Sequence, residues 1–248
     1  MHRLFPHSML VALASLACDQ PPTQPDSPPA STPAASQAKT SVLPEFDPKN
    51  FVRRVNNPYF PLRPGTRFVY TGMEDGEPRK VVVDVTYRKK TILGIQATVV
   101  QDRSYVNGSL VENTYDWYAQ DKDGNVWYLG EYSREIEDGA VVSTEGSWEA
   151  GKNGARAGII MLARPRVGRR YPQERSPGVA EGRARVLGRG QTISVPYGKW
   201  RNCLRIEEWD PQDPAVRELK FYCPRIGLVK GRTVRGGTDR FGLLRIRL

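Results

Sequence analysis

Histidine is scarce in this sequence: of its 248 residues, only His2 and His7 carry an imidazole. Both precede Cys18, in a segment with the features of a secretion signal: Arg3 near the start, an apolar core from Met9 to Ala17, and small residues before the cysteine. If the chain is cut before Cys18, the mature protein has no histidine. That excludes Ser-His-Asp and Cys-His catalysis and histidine-ligated zinc, and it leaves catalysis by carboxylate, Lys, Tyr or Arg open.

Long apolar runs are also absent. The apolar core before Cys18 is far shorter than the roughly 20 residues that span a bilayer. We interpret residues 1–18 as a lipoprotein signal peptide with a lipidated Cys18. Ser15 stands where such signals have a branched apolar residue, so an ordinary secretion signal cut nearby remains the alternative. The predicted location is extracytoplasmic and membrane-anchored, in the periplasm or at the cell surface, with the membrane as a partner through the lipid anchor.

Aromatic residues are missing from residues 19–43, which are rich in Pro, Ser, Thr and Ala. Such a segment buries too little apolar surface to fold, so we predict a disordered tether. It would reach on the order of 30 to 75 Å from the membrane. Residues 44–248 then form one domain, long enough for a sizeable core and predicted to be an antiparallel β domain.

Acidic residues are outnumbered in the folded part. The net charge is +10, and the charged residues of the first 43 positions cancel, so the surplus lies in the domain. Outside the cytoplasm, lipid head groups and envelope polysaccharides are the available polyanions, and nucleic acid is not an expected partner. A solvated basic surface without a partner remains the alternative. The first dense stretch contains Arg164, Arg166, Arg169, Arg170, Arg175, Arg183, Arg185 and Arg189 against Glu174 and Glu181, and the second contains Arg225, Lys230, Arg232, Arg235, Arg240, Arg245 and Arg247 against Asp239.

Only two cysteines follow the tether, Cys203 and Cys223, and they flank a predicted hairpin in an oxidising compartment. One register of this hairpin places them opposite each other, as a disulfide requires. A register shifted by one residue instead gathers Leu204 and Ile206 with apolar residues of the next strand and separates the cysteines. The pattern leaves this possible disulfide open, and two lone cysteines do not predict a metal site.

Helical periodicity is hard to find, whereas strand signals are frequent. Val81, Val83 and Val85 alternate along one predicted strand, and Asn107-Gly108, Asp123-Gly124 and Asp138-Gly139 are typical hairpin turns. We predict an all-β fold: a single antiparallel curved sheet, barrel or half-barrel of about 10–12 strands. Short helical turns are expected only within residues 46–55 and 159–163.

Aromatic residues occupy both faces of two predicted strands, at Tyr115, Trp117 and Tyr118 and at Trp127 and Tyr128. A half-exposed antiparallel strand is usually apolar on one face only, so both faces are expected to be covered. Either a loop such as residues 146–172 covers the second face, or that face lines a ligand cavity. The cavity residues would be Tyr115, Trp117, Tyr128 and Trp148.

Four carboxylates lie beside these aromatic residues, Asp116, Glu131, Glu145 and Glu149. A facing pair could hydrolyse glycosidic bonds, although pairing with the many arginines is the favoured explanation. The sequence has no nucleophile elbow and no phosphate loop, and the run from Asp121 to Asn125 lacks the remaining ligands of a calcium loop. We predict no cofactor and no metal, and the protein is more readily interpreted as a binding protein than as an enzyme.

Several motifs resemble a family of uncharacterised secreted bacterial proteins and lipoproteins, over most of residues 51–234. A run of Phe-Pro-Leu and Pro-Gly before a strand, with a late Pro-x-x-Gly-Leu-Val, more loosely resembles lipoproteins with the curved-sheet fold of lipoprotein-localisation factors. That resemblance implies a concave face able to hold acyl chains. The motifs of the family are Asn57-Pro-Tyr-Phe-Pro-Leu-Arg-Pro-Gly-Thr66, Asp116-Trp-Tyr-Ala-Gln-Asp-Lys-Asp-Gly-Asn-Val-Trp-Tyr-Leu-Gly-Glu131, Gly146-Ser-Trp-Glu-Ala-Gly151, Val195-Pro-Tyr-Gly-Lys-Trp-Arg-Asn-Cys-Leu204 and Tyr222-Cys-Pro-Arg-Ile-Gly-Leu-Val229.

Together these features favour a membrane-tethered envelope lipoprotein that binds an apolar or amphipathic ligand, such as a lipid, on a concave sheet face, with arginines at the rim. Two alternatives remain: a carboxylate-based hydrolase acting on envelope glycans, and a structural or assembly protein of the envelope. The sequence predicts neither the ligand nor the oligomeric state.

Overall fold

The computed structural model describes residues 43–248, so the predicted signal peptide, Cys18 and nearly all of the predicted tether lie outside the described residues. The described part consists of strands and one short 3-10 helix, Pro48–Asn50. None of its helices is long and apolar enough to cross a membrane. The strands are β1 (Phe51–Val52), β2 (Val55–Asn57), β3 (Phe60–Leu62), β4 (Arg67–Glu74), β5 (Glu77–Ile92), β6 (Ile95–Val106), β7 (Ser109–Asp121), β8 (Val126–Tyr132), β9 (Glu135–Glu137), β10 (Ala140–Ser143), β11 (Trp148–Glu149), β12 (Gly158–Met161), β13 (Arg170–Pro172), β14 (Arg183–Val195), β15 (Gly198–Trp209), β16 (Arg217–Cys223), β17 (Gly227–Arg235) and β18 (Arg240–Arg247).

Most strands belong to one antiparallel sheet, in the order β10-β9-β7-β6-β5-β4-β18-β17-β16-β15-β14-β13. Strand β8 branches from β7 and pairs with β11 and β12, β1 pairs with β7, and β2 and β3 form a separate hairpin. The predicted all-β class and the single antiparallel sheet are confirmed. Because β10 and β13 stand at the two ends of this order, the sheet is open and does not form a closed barrel.

The predicted hairpin turns are present. Asn107 and Asp138 both have a φ of 50°, and each is followed by a glycine of positive φ, as two-residue hairpins require. The predicted helical turn at residues 159–163 is wrong, because Ile159 pairs with Trp127 in the β12–β8 ladder. Residues 158–161 are buried throughout, and a short apolar run covered on both faces suits a strand as well as a helix. In residues 46–55 the helix is confined to Pro48–Asn50.

The sheet curls strongly. Phe68 of β4, Val100 of β6, Tyr118 of β7 and Tyr222 of β16 border one small internal cavity, although their strands lie far apart in the sheet order. These side chains therefore point to the concave face. Phe60 of β3 packs across this face, with its ring centroid 5.2 Å from that of Tyr118 and 6.3 Å from that of Tyr222.

The β2–β3 hairpin is fixed to the sheet by buried amides. The Gln120 side-chain oxygen accepts hydrogen bonds of 2.8 Å from the backbone N–H groups of Asn56 and Asn57. The Asn57 amide donates to the carbonyl of Gly124 at 2.8 Å. Buried polar groups are thus satisfied where the hairpin meets the sheet, which holds Phe60 in place.

Cys203 and Cys223 are joined by a disulfide between β15 and β16. The ladder pairs Leu204 with Tyr222 and Ile206 with Lys220, which is the register that places the cysteines opposite each other. The alternative register, which would have gathered apolar residues on one face, is not adopted. The consequence is that a lysine, Lys220, points into the protein interior, where it is 2% exposed.

Candidate functional site

The predicted cavity residues lie on both faces of the sheet, because successive side chains of β7 point in opposite directions. Asp116 and Tyr118 border the internal cavity, whereas Tyr115 and Trp117 border a separate, larger cleft on the opposite face of the sheet. Successive residues of a strand point to opposite faces, so these two pairs cannot share one surface. The concave aromatic face expected from the sequence is therefore not formed, because its aromatic residues belong to different sides of the sheet.

The larger space, which we call the aromatic cleft, has a volume of about 850 Å³. Its aromatic walls are Tyr115 and Trp117 of β7 and Trp148 of β11, and segments 152–155 and 176–179 border it. Its volume lies within the range of small-molecule sites, roughly 300–1,000 Å³. Three of the four predicted cavity residues are thus brought together here.

Gly130 positions Trp148 in this cleft. Its φ is +130°, and a Cβ at this position would lie 2.2 Å from the backbone oxygen of Trp148. Only glycine tolerates both the backbone conformation and this approach, which lets β11 pair with β8 and brings Trp148 opposite Glu131. The run Leu-Gly-Glu in β8 is therefore a positioning element for the cleft.

Cations lie on the aromatic rings of the cleft. The Lys90 ammonium is 3.3 Å from the centroid of the Trp117 ring. The guanidinium carbons of Arg88 and Arg134 lie 5.5 and 5.4 Å from the Tyr115 ring centroid. Such cation–π contacts orient the charged groups at a modest energy, about 0.5–1 kcal/mol at exposed sites.

The cations of the cleft differ in whether a carboxylate forms an ion pair with them. Glu149 forms ion pairs with Lys90 at 2.8 Å and with Lys152 at 3.0 Å. Burial raises the pKa of Glu149, but the hydrogen bonds from the two lysines outweigh it, so the pKa is lowered and the carboxylate stays ionised. Within residues 43–248, neither Arg88 nor Arg134 forms an ion pair with a carboxylate.

Three buried polar atoms of the cleft residues lack a hydrogen-bond partner in the described structure. They are the Trp148 Nε1 donor, the Arg134 Nε donor and the Glu131 Oε1 atom. Burial and repulsion from Glu174 raise the pKa of Glu131 well above its usual value, which favours the neutral carboxylic acid. Buried polar groups are normally paired, so these three atoms are exceptions among the residues that border the cleft.

Tyr128, the fourth predicted cavity residue, forms the wall between the two spaces. Its ring stacks on Tyr118 at 4.7 Å and meets Trp148 edge-on at 5.3 Å. Its hydroxyl donates a 2.6 Å hydrogen bond to Asp116. Burial raises the pKa of Asp116 to about 7, so this carboxyl gains its charge only near neutral pH. Tyr128 thus supports the cleft from behind, without lining it.

The internal cavity on the concave face is small, about 110 Å³. That is below the roughly 300 Å³ of typical ligand sites, so the concave face does not provide the ligand space predicted for it. It is filled by aromatic rings, including Phe60, and by polar side chains.

A buried ionic cluster lies on β15 and β16, beside the hydrophobic core. Lys220 forms ion pairs with Glu208 at 2.7 Å and with Glu218 at 3.5 Å. Glu208 also accepts hydrogen bonds from Tyr222 at 3.0 Å and Gln173 at 3.2 Å. Burial lowers the pKa of Lys220, but the attraction of the two glutamates outweighs it and leaves the pKa raised. Burial raises the pKa of Glu218 to about 7, so near neutral pH this second carboxylate carries only part of its charge and Lys220 compensates most of the negative charge of the cluster.

The four carboxylates predicted for hydrolysis are not gathered at one point. Glu131 and Glu149 border the aromatic cleft, Asp116 borders the internal cavity, and Glu145 is exposed. No group of three metal-ligating side chains capable of holding a metal ion occurs within residues 43–248.

Sequence reasoning missed the cations of the cleft, Arg88, Lys90 and Arg134. Arg88 and Lys90 lie on β5, whereas Arg134 lies far away in sequence, in the link between β8 and β9. Strand β5 is also irregular between Val85 and Lys89, where the pairing with β6 shifts. A bulge changes the face to which the following side chains point, so alternation could not place Arg88. The one sequence feature that could have indicated these cations is the excess of Lys and Arg in the segments around the aromatic strand β7.

No protein-family model matches the chain, and no curated protein matches it. Among solved structures, a candidate exported protein with a YmcC-like fold from Bacteroides fragilis covers 77% of this chain and 99% of its own, with a TM-score of 0.46 and 15% identity. A candidate lipoprotein from Parabacteroides distasonis covers 76% of this chain and 98% of its own, with a TM-score of 0.38 and 13% identity. Likenesses this weak carry no conclusion on ligand or activity, and the looser resemblance to lipoprotein-localisation factors stays a prediction.

Proposed function

We propose that this protein is a lipid-anchored envelope protein whose aromatic cleft binds an acidic amphipathic molecule. The observation that carries the proposal is the placement of Arg88 and Arg134 beside the Tyr115 ring without a carboxylate partner. Guanidinium groups bind carboxylate and phosphate through two parallel hydrogen bonds. Two of them, held over one ring at the border of an apolar space, suit a ligand with an acidic head.

The remaining walls suit an apolar body. Val99, Trp117 and Val179 contribute apolar surface, and Trp148 contributes both its ring and its unpartnered Nε1 donor. Lys90 and Lys152 share the single carboxylate of Glu149, so the lysines leave a net positive charge in the cleft, and the two arginines are the cations that lie over the Tyr115 ring. The proposed ligand therefore has its acidic group at Tyr115 and its apolar part along Trp117 and Trp148.

The test compares sodium laurate with uncharged dodecanol, which have the same chain length, by titration calorimetry. We expect laurate to bind about tenfold more tightly or better, since a hydrogen bond to a charged group contributes ~1.5–3 kcal/mol. Arg88→Gln/Arg134→Gln should remove this preference. Arg232→Gln/Arg245→Gln, which removes the same charge from exposed positions elsewhere, should retain it. Equal binding of the two probes by the unmodified protein would contradict the proposal.

The membrane anchor is tested separately at Cys18. Cells expressing the full chain are labelled with radioactive palmitate, and we expect the label on the unmodified protein but not on Cys18→Ser. The variant should also leave the membrane fraction. Labelling that persists in Cys18→Ser, or its absence from the unmodified protein, would contradict lipidation at this residue.

A second function is favoured by the opposite pKa shifts of two carboxyls in the same cleft. Burial raises the pKa of Glu131 well above its usual value, whereas the two lysines lower the pKa of Glu149, and both residues border the cleft from the adjacent strands β8 and β11. An acid and a carboxylate base are the pair that glycoside hydrolysis uses. Incubation with peptidoglycan sacculi should then release reducing ends, and Glu131→Gln and Glu149→Gln should each abolish the release. If the unmodified protein releases none, this second function is excluded for that glycan.

A further inference from the structure

A second large groove, distinct from the aromatic cleft, is lined by arginines. We call it the arginine groove; its volume is about 1,060 Å³. It lies along β13 and β14 and the segments on either side of β12 and β13. Its arginines are Arg156, Arg169, Arg170, Arg175, Arg183 and Arg185.

The backbone pairing brings these like charges together. Arg170 lies directly opposite Arg185 in the β13–β14 ladder, and Arg156 lies opposite Arg175 in an isolated bridge. Arg183 is two residues from Arg185 and therefore on the same face of β14. Like charges directly opposite each other destabilise a sheet, so this arrangement works against folding unless an anion reduces the repulsion.

The protein itself supplies part of the compensating charge: Glu207 of β15 lies opposite Arg185 in the β14–β15 ladder, although no ion pair joins the two side chains. Within residues 43–248, Arg156, Arg175, Arg183 and Arg185 form no ion pair with a carboxylate. The buried Nε of Arg185 has no hydrogen-bond partner.

Two glutamates border the groove, and they do not balance its charge. Burial and repulsion from Asp210 raise the pKa of Glu174 well above its usual value, and even with both glutamates ionised the six arginines of the groove exceed them by four charges. The Glu181 carboxylate accepts a 3.0 Å hydrogen bond from the Gly178 backbone N–H. The groove therefore carries a large net positive charge.

The place where the chain enters the domain indicates which anions are at hand. Leu43 and Pro44, the first described residues, border the arginine groove. The predicted tether of residues 19–43 therefore joins the domain at this groove. With Cys18 lipidated, the groove would be on the side of the domain nearest to the attachment point in the membrane.

We propose that the arginine groove binds the phosphate groups of acidic phospholipids and docks the tethered domain on the membrane surface. The clustered guanidinium groups have the fork geometry that matches phosphate oxygens. Near an anionic membrane each arginine contributes about 1 kcal/mol of attraction, so several together hold a domain that a flexible tether already keeps close. This inference rests on the proposed anchor but not on the aromatic cleft.

The test uses the full chain with Cys18→Ser, so that no lipid anchor contributes, and vesicles of phosphatidylglycerol and phosphatidylcholine in equal parts. We expect binding in a sedimentation assay, and about 30-fold weaker binding by Arg183→Gln/Arg185→Gln, which removes two of these contributions. Arg232→Gln/Arg245→Gln loses the same charge outside the groove and should change binding less than about twofold. A far-ultraviolet circular dichroism spectrum checks that each variant is folded.

The outcomes separate the possibilities. An equal loss of vesicle binding in both double variants would overturn the proposed role of the groove, because it would mean that binding depends only on the net charge of the protein. Binding of inorganic pyrophosphate that requires Arg183 and Arg185, without vesicle binding, would overturn the lipid as the source of the phosphate. Because the anchor is absent throughout, a failure here is distinct from a failure of palmitate labelling at Cys18 or of laurate binding in the cleft.

Discussion

The two faces of the curled sheet differ in whether their cations form ion pairs with carboxylates. On the concave face, Lys220 is almost fully buried and has two carboxylates, Glu208 at 2.7 Å and Glu218 at 3.5 Å. On the outer surface, Arg88 and Arg134 lie against an aromatic ring without any carboxylate. An ionised group removed from water is tolerated only when the fold pairs it, whereas an exposed guanidinium is solvated. The difference separates charges that the fold needs from charges that remain available to a ligand.

The two faces also differ in the volume of free space that borders them. The concave face contains about 110 Å³ of free space, while the aromatic cleft contains about 850 Å³ and the arginine groove about 1,060 Å³. The inner face of this sheet is therefore closely packed, and the larger open spaces lie on the outside. Substitutions on the inner face should therefore change the free energy of unfolding, whereas substitutions on the outer face should change ligand binding.

The largest expected effect is on the inner face. Lys220→Ala leaves Glu208 and Glu218 buried without their cation, which should cost about 3–5 kcal/mol of the free energy of unfolding in urea. Lys220→Met/Glu208→Gln/Glu218→Gln, which removes all three charges, should recover much of the loss. Lys199→Ala, at an exposed position of β15, is the control and should be near neutral. A small effect of Lys220→Ala would mean that the cluster is open to water.

The disulfide gives the next effect. Cys203 and Cys223 are 20 residues apart in sequence, so removing the cross-link with Cys203→Ala/Cys223→Ala should cost about 3 kcal/mol, mainly by freeing the unfolded chain. The urea midpoint should fall to the same value when the unmodified protein is reduced. If reduction leaves the midpoint unchanged, the bridge is not formed in solution.

The pH dependence tests the buried carboxyls. The pKa of Asp116 is raised to about 7, and an unfolded aspartate titrates near its usual low value, so the folded state holds the proton in between. The stability that this group contributes is complete below the unfolded pKa and is lost as the pH rises through about 7. Asp116→Asn should therefore reduce the loss of stability between about pH 5 and pH 8 by up to about 3 kcal/mol. Asp123→Asn, in an exposed turn, should leave the dependence unchanged, and so should Asp116→Asn if this carboxyl is ionised throughout.

The smallest effect on stability is expected at the outer face. Arg88→Gln/Arg134→Gln removes two cation–π contacts with Tyr115 and no ion pair, so the free energy of unfolding should change by less than about 1–2 kcal/mol. The same variant should lose the preference for laurate. A large loss of stability, measured by urea unfolding, would place these arginines among the structural charges instead.

Much of the fold could be predicted from local patterns. The Asn-Gly and Asp-Gly turns and the valine alternation of β5 are present as expected, because turn conformation and strand period depend on neighbouring residues. The disulfide register could not be chosen, since the interior position of Lys220 opposes the hydrophobic pattern and is stable only with Glu208 and Glu218 beside it. Patterning rules treat a lysine as a solvent residue and cannot anticipate a compensated ionic interior.

The candidate site could be predicted in part. Tyr115, Trp117 and Trp148 do share one cleft, but the sequence assigned that cleft to the concave face and did not find Arg88 or Arg134. Bulges in β5 and between β7 and β8 change which way the following side chains point.

Sequence alone determined the class of this protein: an all-β chain with Cys18 at the predicted signal boundary, a histidine-free domain and two arginine-rich stretches. These properties are local or compositional, so they need no knowledge of which strands meet. Tertiary structure decided which charges are paired and which are not, because pairing depends on register, bulges and curl. That is why Lys220 belongs to the core, whereas Arg88 and Arg134, and Arg156, Arg175, Arg183 and Arg185 of the groove, form no ion pair within residues 43–248.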